Sequence, residues 1–137
     1  MSRDDTTALI RRYLDAFNAK DSEAMLACLS DDVAHDINQG DREIGKEKFR
    51  WFNGMMSRHY DEELGDIAIM VDDSGSRAAA EFTVRGTYLA TAEGLPDANG
   101  QRYSLPAGIF FEIDDRLISR VTTSYNLNHW IEQVKAG

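Results

Sequence analysis

The side chains that could do chemistry in this chain are hydroxyls, carboxylates and imidazoles set on otherwise apolar faces. Tyr13 lies between Leu9 and Phe17 at helical spacing, on the apolar stripe of a helix predicted from Thr6 to Lys20. A phenol there is either a packing tyrosine whose hydroxyl finds a carbonyl or solvent, or a donor to an oxyanion forming in a pocket. His35-Asp36-Ile37-Asn38 is the most polar stretch inside a predicted strand, Val33 to Asn38. Alternation puts Val33, His35 and Ile37 on one face, and Ala34, Asp36 and Asn38 on the other. If Asp36 faces a dry pocket, its pKa rises and it can act as a general base, with His35 or Asn38 assisting. On the other face it is an edge-strand acid in water.

Tyr88 and Tyr103 flank a long loop, and Tyr125 lies near the end of the last predicted strand. Tyrosine is common on half-buried sheets, so each is also a packing residue. Glu81 and Arg85 share a strand face and read as an ordinary ion pair. His35, His59 and His129 are scattered, with no HExxH or CxxC spacing, and no nucleophile elbow, Walker or dinucleotide-binding pattern occurs. Cys28, on the inner face of a predicted helix, reads as a small buried hydrophobe. The chemistry expected is therefore free of metal and cofactor, or is binding alone.

Three helices and a sheet must position these groups. The first helix ends at Asn18-Ala19-Lys20-Asp21, and a shorter second helix turns Met25, Cys28 and Leu29 inward. Ser30-Asp31-Asp32 reads as a break. A third helix runs from Gly45 to about Arg58, with Phe49, Trp51, Phe52, Met55 and Met56 covering a wide arc. After Tyr60 the period becomes two, predicting strands near 63–72, 77–91, 101–114 and 117–125. Asp72-Asp73-Ser74-Gly75 and Asp114-Asp115 are short turns, so these neighbours pair antiparallel. A brief helix is expected from Leu127 to Val134. Helices first and an antiparallel sheet after them define an α+β domain over residues 1–137.

With 137 residues, 42% of them hydrophobic, the chain can fill one core. Fifteen basic residues against 24 acidic ones give a net charge of −9. That field repels phosphate backbones and anionic lipid, so no nucleic-acid partner and no membrane partner are expected. One cysteine closes no internal disulfide, and the polar segment Met1–Thr7 does not read as a signal peptide. A cytoplasmic protein is expected.

Several of these segments resemble the nuclear transport factor 2-like superfamily, in particular its ketosteroid isomerase-related and SnoaL-like polyketide cyclase branches. They are Arg12-Tyr13-Leu14-Asp15-Ala16-Phe17-Asn18 in the first helix, Asp31-Asp32-Val33, and Gly45 opening the third helix. Gly86-Thr87-Tyr88 with Glu93-Gly94-Leu95-Pro96, Asp114-Asp115-Arg116-Leu117-Ile118, and Tyr125-Asn126-Leu127 extend the likeness. The resemblance implies a cone-shaped, cystatin-like fold: about three N-terminal helices packed on a strongly curved, mostly antiparallel sheet. It also implies an apolar small-molecule pocket, a homodimer paired through the sheets, and enolisation of a carbonyl compound without a cofactor.

Transferred residue by residue, Tyr13 matches the oxyanion donor and Asp36 falls near the base. Gly108 and Asn126 stand where relatives carry acids, and Tyr88 stands at the place of a loop histidine. The expected catalytic set is Asp36, Tyr13 and His35. The expected lining is Asn38, Trp51, Phe52, Tyr88, Tyr103 and Asn126. An enolising isomerase or cyclase acting on an apolar molecule is one reading. A binding or sensing module that has lost catalysis is the other, and an interaction protein is a third.

Overall fold

Ser2 starts the first helix by a reciprocal cap: its hydroxyl accepts from Asp5 N–H, and the Asp5 carboxylate accepts from Ser2 N–H. In the computed structural model, which describes residues 1–137, this helix is α1 (Arg3–Asn18) and it buries Leu9, Ile10, Tyr13 and Leu14. Lys20 then takes a left-handed conformation, φ 60°, and ends the run. Asp21 caps α2 (Ser22–Ala27) by accepting from Ala24 N–H.

The chain continues as β1 (Leu29–Asp36), β2 (Arg42–Ile44) and α3 (Lys46–His59). Gly45, at φ 112°, makes the entry to α3, a backbone angle that side-chain-bearing residues rarely adopt. Then come β3 (Tyr60–Val71), β4 (Arg77–Tyr88), β5 (Arg102–Asp114), β6 (Leu117–Tyr125) and α4 (Leu127–Ala136). The six strands form one open, curved sheet in the order β2-β1-β6-β5-β4-β3. Every pairing is antiparallel except β1 with β6, which is parallel. The expected α+β architecture holds, with the first three helices ahead of the main meander.

Two local expectations change. β1 starts at Leu29, so Asp31 and Asp32 stand in a strand, not a turn. The pairing with β6 is interrupted between Leu29 and Ala34, and this irregularity lets both acids face water. The short β2 was not anticipated; it follows the turn at Gln39-Gly40-Asp41 and pairs back on β1 through Asp36 and Arg42.

Register decides which side chains share the concave face. Leu64, Val84 and Leu105 form one row across β3, β4 and β5. Phe82, Ala107 and Tyr125 form the next, and Phe111, Val121 and His35 another further along. β3 is an edge strand, with backbone groups that no further strand can satisfy. Asn18, the last residue of α1, covers part of that edge. Its Nδ2 donates to Leu64 C=O at 3.0 Å and its Oδ1 accepts from Leu64 N–H at 2.8 Å. The amide thus mimics a strand partner and ties helix to sheet beside the cavity. Asn18→Ala should cost about 2 kcal/mol in chemical denaturation, because two half-buried backbone groups lose their partner. A change within experimental error would show that water replaces the amide at no cost.

Candidate functional site

The concave sheet face and the inner sides of the helices bound a cavity of about 530 Å³. Of its 29 lining residues 20 are hydrophobic, a balance that favours an apolar ligand fixed by few polar groups. Leu64, Val84, Leu105, Ile109 and Val121 come from the sheet, and Phe17, Met25, Phe49, Phe52 and Met56 from the helices.

Tyr13 lines this cavity with its ring edge-on to Phe111, centroids 5.8 Å apart. Burial pushes its phenol well above the ordinary range, so it remains a protonated donor. His35 sits between Phe49 and Phe52, at 4.6 and 4.7 Å, and is only 4% exposed. Burial lowers its pKa to about 4, with the charge of Asp36 opposing the shift. The imidazole is therefore neutral near pH 7, and its Nδ1 has no partner. Asn38 accepts from Tyr125 N–H at 3.2 Å, and its Nδ2 is buried without a partner.

Tyr13, His35, Asn38 and Phe52 thus line the cavity. The other expected site residues do not. Asp36 lies on the convex face because alternation along β1 turns Val33 and His35 inward. There Arg42 donates to both its oxygens, at 2.6 and 3.0 Å, and the Thr122 hydroxyl donates at 2.6 Å. The Arg42 hydrogen bond is the main reason that its pKa falls to about 2. A carboxylate so held is a poor base, and it stands on the wrong side of the sheet.

Trp51 points outward from α3 and is 66% exposed. Tyr88 is fully buried; its hydroxyl donates to Pro96 C=O at 2.7 Å and accepts from Ala92 N–H at 2.9 Å, holding the loop after β4. Tyr103 packs against Trp130 and reaches the cavity wall only through Glu62. Asn126 caps α4, accepting from His129 N–H at 3.1 Å.

The sequence reading did not single out Glu62, whose side chain lines the cavity near Tyr60 and Leu64. It accepts from the Tyr103 hydroxyl at 2.6 Å. Burial raises its pKa, against the opposing pull of that hydrogen bond and of Lys20. The available signal was parity: Tyr60, Glu62 and Leu64 alternate onto one face, although Asp61-Glu62-Glu63 looks like a solvated charge run. No three His, Cys, Asp or Glu side chains are grouped as metal ligands.

A curved open sheet, helices across its concave face and an apolar cavity between them define the nuclear transport factor 2-like architecture. Residues 10–121 match the SnoaL-like domain, and the chain belongs to that family. Three solved structures, each described as a candidate polyketide cyclase, are similar over nearly their full length. The one from Pseudomonas putida KT2440 is 59% identical with TM-score 0.93, covering 94% of this chain and 97% of that one. The one from Silicibacter sp. TM1040 is 56% identical with TM-score 0.94, covering 98% of each. The one from Xanthomonas campestris pv. campestris is 52% identical with TM-score 0.94, covering 96% and 98%. Among curated proteins, none matches the sequence. No helix is long and apolar enough to cross a membrane.

The buried imidazole makes stability depend on pH. The unfolded chain takes up a proton at His35 near pH 6.5, whereas the folded state resists it down to about 4. Stability from this group is therefore complete above pH 6.5 and lost as pH falls toward 4, by about 3 kcal/mol. Glu62, with a raised pKa, has the opposite slope and loses its contribution as pH rises. Denaturation of wild type and His35→Leu at several pH values isolates the histidine. Their stability difference should narrow or reverse on acidification across that window, and a constant difference would contradict the buried neutral state.

Proposed function

We propose that this SnoaL-like protein is a cofactor-independent isomerase or cyclase that enolises an apolar carbonyl compound held in the cavity. The observation that carries this reading is that a protonated Tyr13 and a neutral His35 line the same apolar cavity. Neutral donors suit a carbonyl oxygen, whose charge grows only as the adjacent C–H bond breaks. Tyr13 is the oxyanion donor. His35 assists as an uncharged hydrogen-bonding group, and Asn38 and Phe52 contact the bound molecule. The apolar surroundings strengthen each of these interactions by excluding water.

The likeness to candidate polyketide cyclases supports a carbonyl-rich substrate. A homodimer through the convex sheet face belongs to the same proposal. Met70, Ala79 and Phe110 share a register row there, and Met70 and Phe110 are each 50% exposed. A monomer by light scattering at working concentration would count against that pairing.

Deuterium exchange at carbons next to the carbonyl, followed by NMR across a panel of cyclic ketones and enones, tests the chemistry. Tyr13→Phe should slow exchange by about 100-fold, the scale of one oxyanion donor. Asp36→Asn should leave the rate unchanged, because its carboxylate faces away from the cavity. The second reading, a binding module without catalysis, is favoured by Gly108 and Asn126 at the places of two acids in relatives. It predicts ligands that bind and never exchange.

A further inference from the structure

The enolising reading lacks a base on β1, since Asp36 is committed to Arg42 and Thr122 on the other face of the sheet. The only carboxylates along the cavity wall are Asp61 and Glu62, adjacent on β3. Asp61 is exposed and paired with Lys20 at 3.2 Å. Glu62 is different. Its inward direction follows from the parity that also buries Leu64.

The neighbouring strands are built around this carboxylate. Glu62 on β3 is registered with Gly86 on β4, and Gly86 with Tyr103 on β5. A Cβ at Gly86 would lie 2.5 Å from both the Cζ and the hydroxyl of Tyr103. The missing side chain therefore leaves the gap through which the Tyr103 ring crosses β4 to reach Glu62. Its hydroxyl donates to Oε2, which fixes the carboxylate and leaves the hydrogen bond on one oxygen only. Trp130 packs edge-on against Tyr103, at 5.8 Å, and holds the ring from the helical side.

Two further phenols complete the surroundings. Tyr60 and Tyr125 line the same cavity, and both are pushed above the ordinary phenol range, chiefly by burial. The Glu62 charge contributes to each shift, which puts all three groups in one neighbourhood.

We propose that Glu62 is the base that takes the proton from the bound carbonyl compound, with Tyr103 as its positioning residue across Gly86. This rests on the enolising reading of the cavity. In the step, the proton leaves the carbon next to the carbonyl for Oε1 of Glu62. The C–H electron pair becomes the C=C bond of the enolate, and the carbonyl oxygen takes the negative charge. Hydroxyls facing the cavity hold that charge. Glu62 then returns the proton to the same carbon or to a conjugated one, with no change of oxidation state.

His35 is the weaker alternative for this task, being wedged between two phenyl rings. The charged groups facing Glu62 are Lys20, which favours its ionised form, and Asp61, which opposes it. Burial, with Asp61 acting in the same direction, outweighs the Tyr103 hydrogen bond and Lys20 and raises the carboxyl's pKa, which makes the ionised form a stronger base.

The test is exchange into 2-tetralone in heavy water, across a range of pH, by wild type, Glu62→Gln, Tyr103→Phe and Gly86→Ala. Glu62→Gln should lose at least about 100-fold in rate while 2-tetralone still perturbs the protein NMR spectrum. Tyr103→Phe and Gly86→Ala should move the rising limb of the pH profile to higher pH. Each removes or displaces a hydrogen bond that stabilises the carboxylate, so the base stays protonated longer. A purely structural tyrosine would lower the rate at every pH and leave the limb in place, which overturns the positioning role. Wild-type exchange by Glu62→Gln overturns the base and leaves the enolising reading standing. No exchange by wild type overturns the enolising reading and the base with it.

Discussion

Without the parallel ladder between β1 and β6, the sheet would be a four-stranded meander and His35 would have no wall to stand in. Parallel neighbours need a long crossover, and here the crossover carries β2, α3 and the strands β3, β4 and β5. Because β1 is laid down between α2 and α3, its pairing with the last long strand draws the helices across the concave face. The curl then leaves more room between layers than the helical side chains fill. What remains is a space bounded largely by Phe, Leu and Met, with a minority of polar groups supplied by helices and strands.

That parity has opposite consequences at two carboxylates. On β1 it turns His35 in and Asp36 out, where an arginine and a threonine satisfy the acid. On β3 it turns Glu62 in between exposed Asp61 and Glu63. The same functional group is an ion-paired anion of low pKa at one place and a desolvated acid of raised pKa at the other. Environment, set by a shift of one position along a strand, decides which carboxylate is chemically available.

Much of the fold was legible because its elements are periodic. The helical spacing of Leu9, Ile10, Tyr13 and Leu14 and the alternation of the long strands needed no tertiary information. β2 and the beginning of β1 escaped, since three residues have no period and Asp31-Asp32 resembles a turn. The site was less legible. Alternation sorted His35 from Asp36 correctly into opposite faces but could not say which face was inside. Tyr88 and Asn126 show the other difficulty: a polar group near a pocket is often spent on the backbone, here on the loop after β4 and on the start of α4. Glu62 lay hidden in an acidic run that only the burial of Leu64 distinguishes from a solvated edge.

The two tryptophans of the chain occupy environments that differ as much as the two carboxylates do. Trp51 projects into water from α3, whereas Trp130 is 4% exposed, lines the cavity and is edge-on to Tyr60, Tyr88 and Tyr103. Light absorbed by those tyrosines passes readily to an indole in contact with them, so Trp130 collects excitation from the aromatic wall. Dry surroundings shift indole emission to the blue and a ligand in the cavity would alter them at Trp130, whereas the exposed Trp51 would respond to water alone. The fold thus carries its own optical reporter of occupancy, at the wall where β5 meets α4.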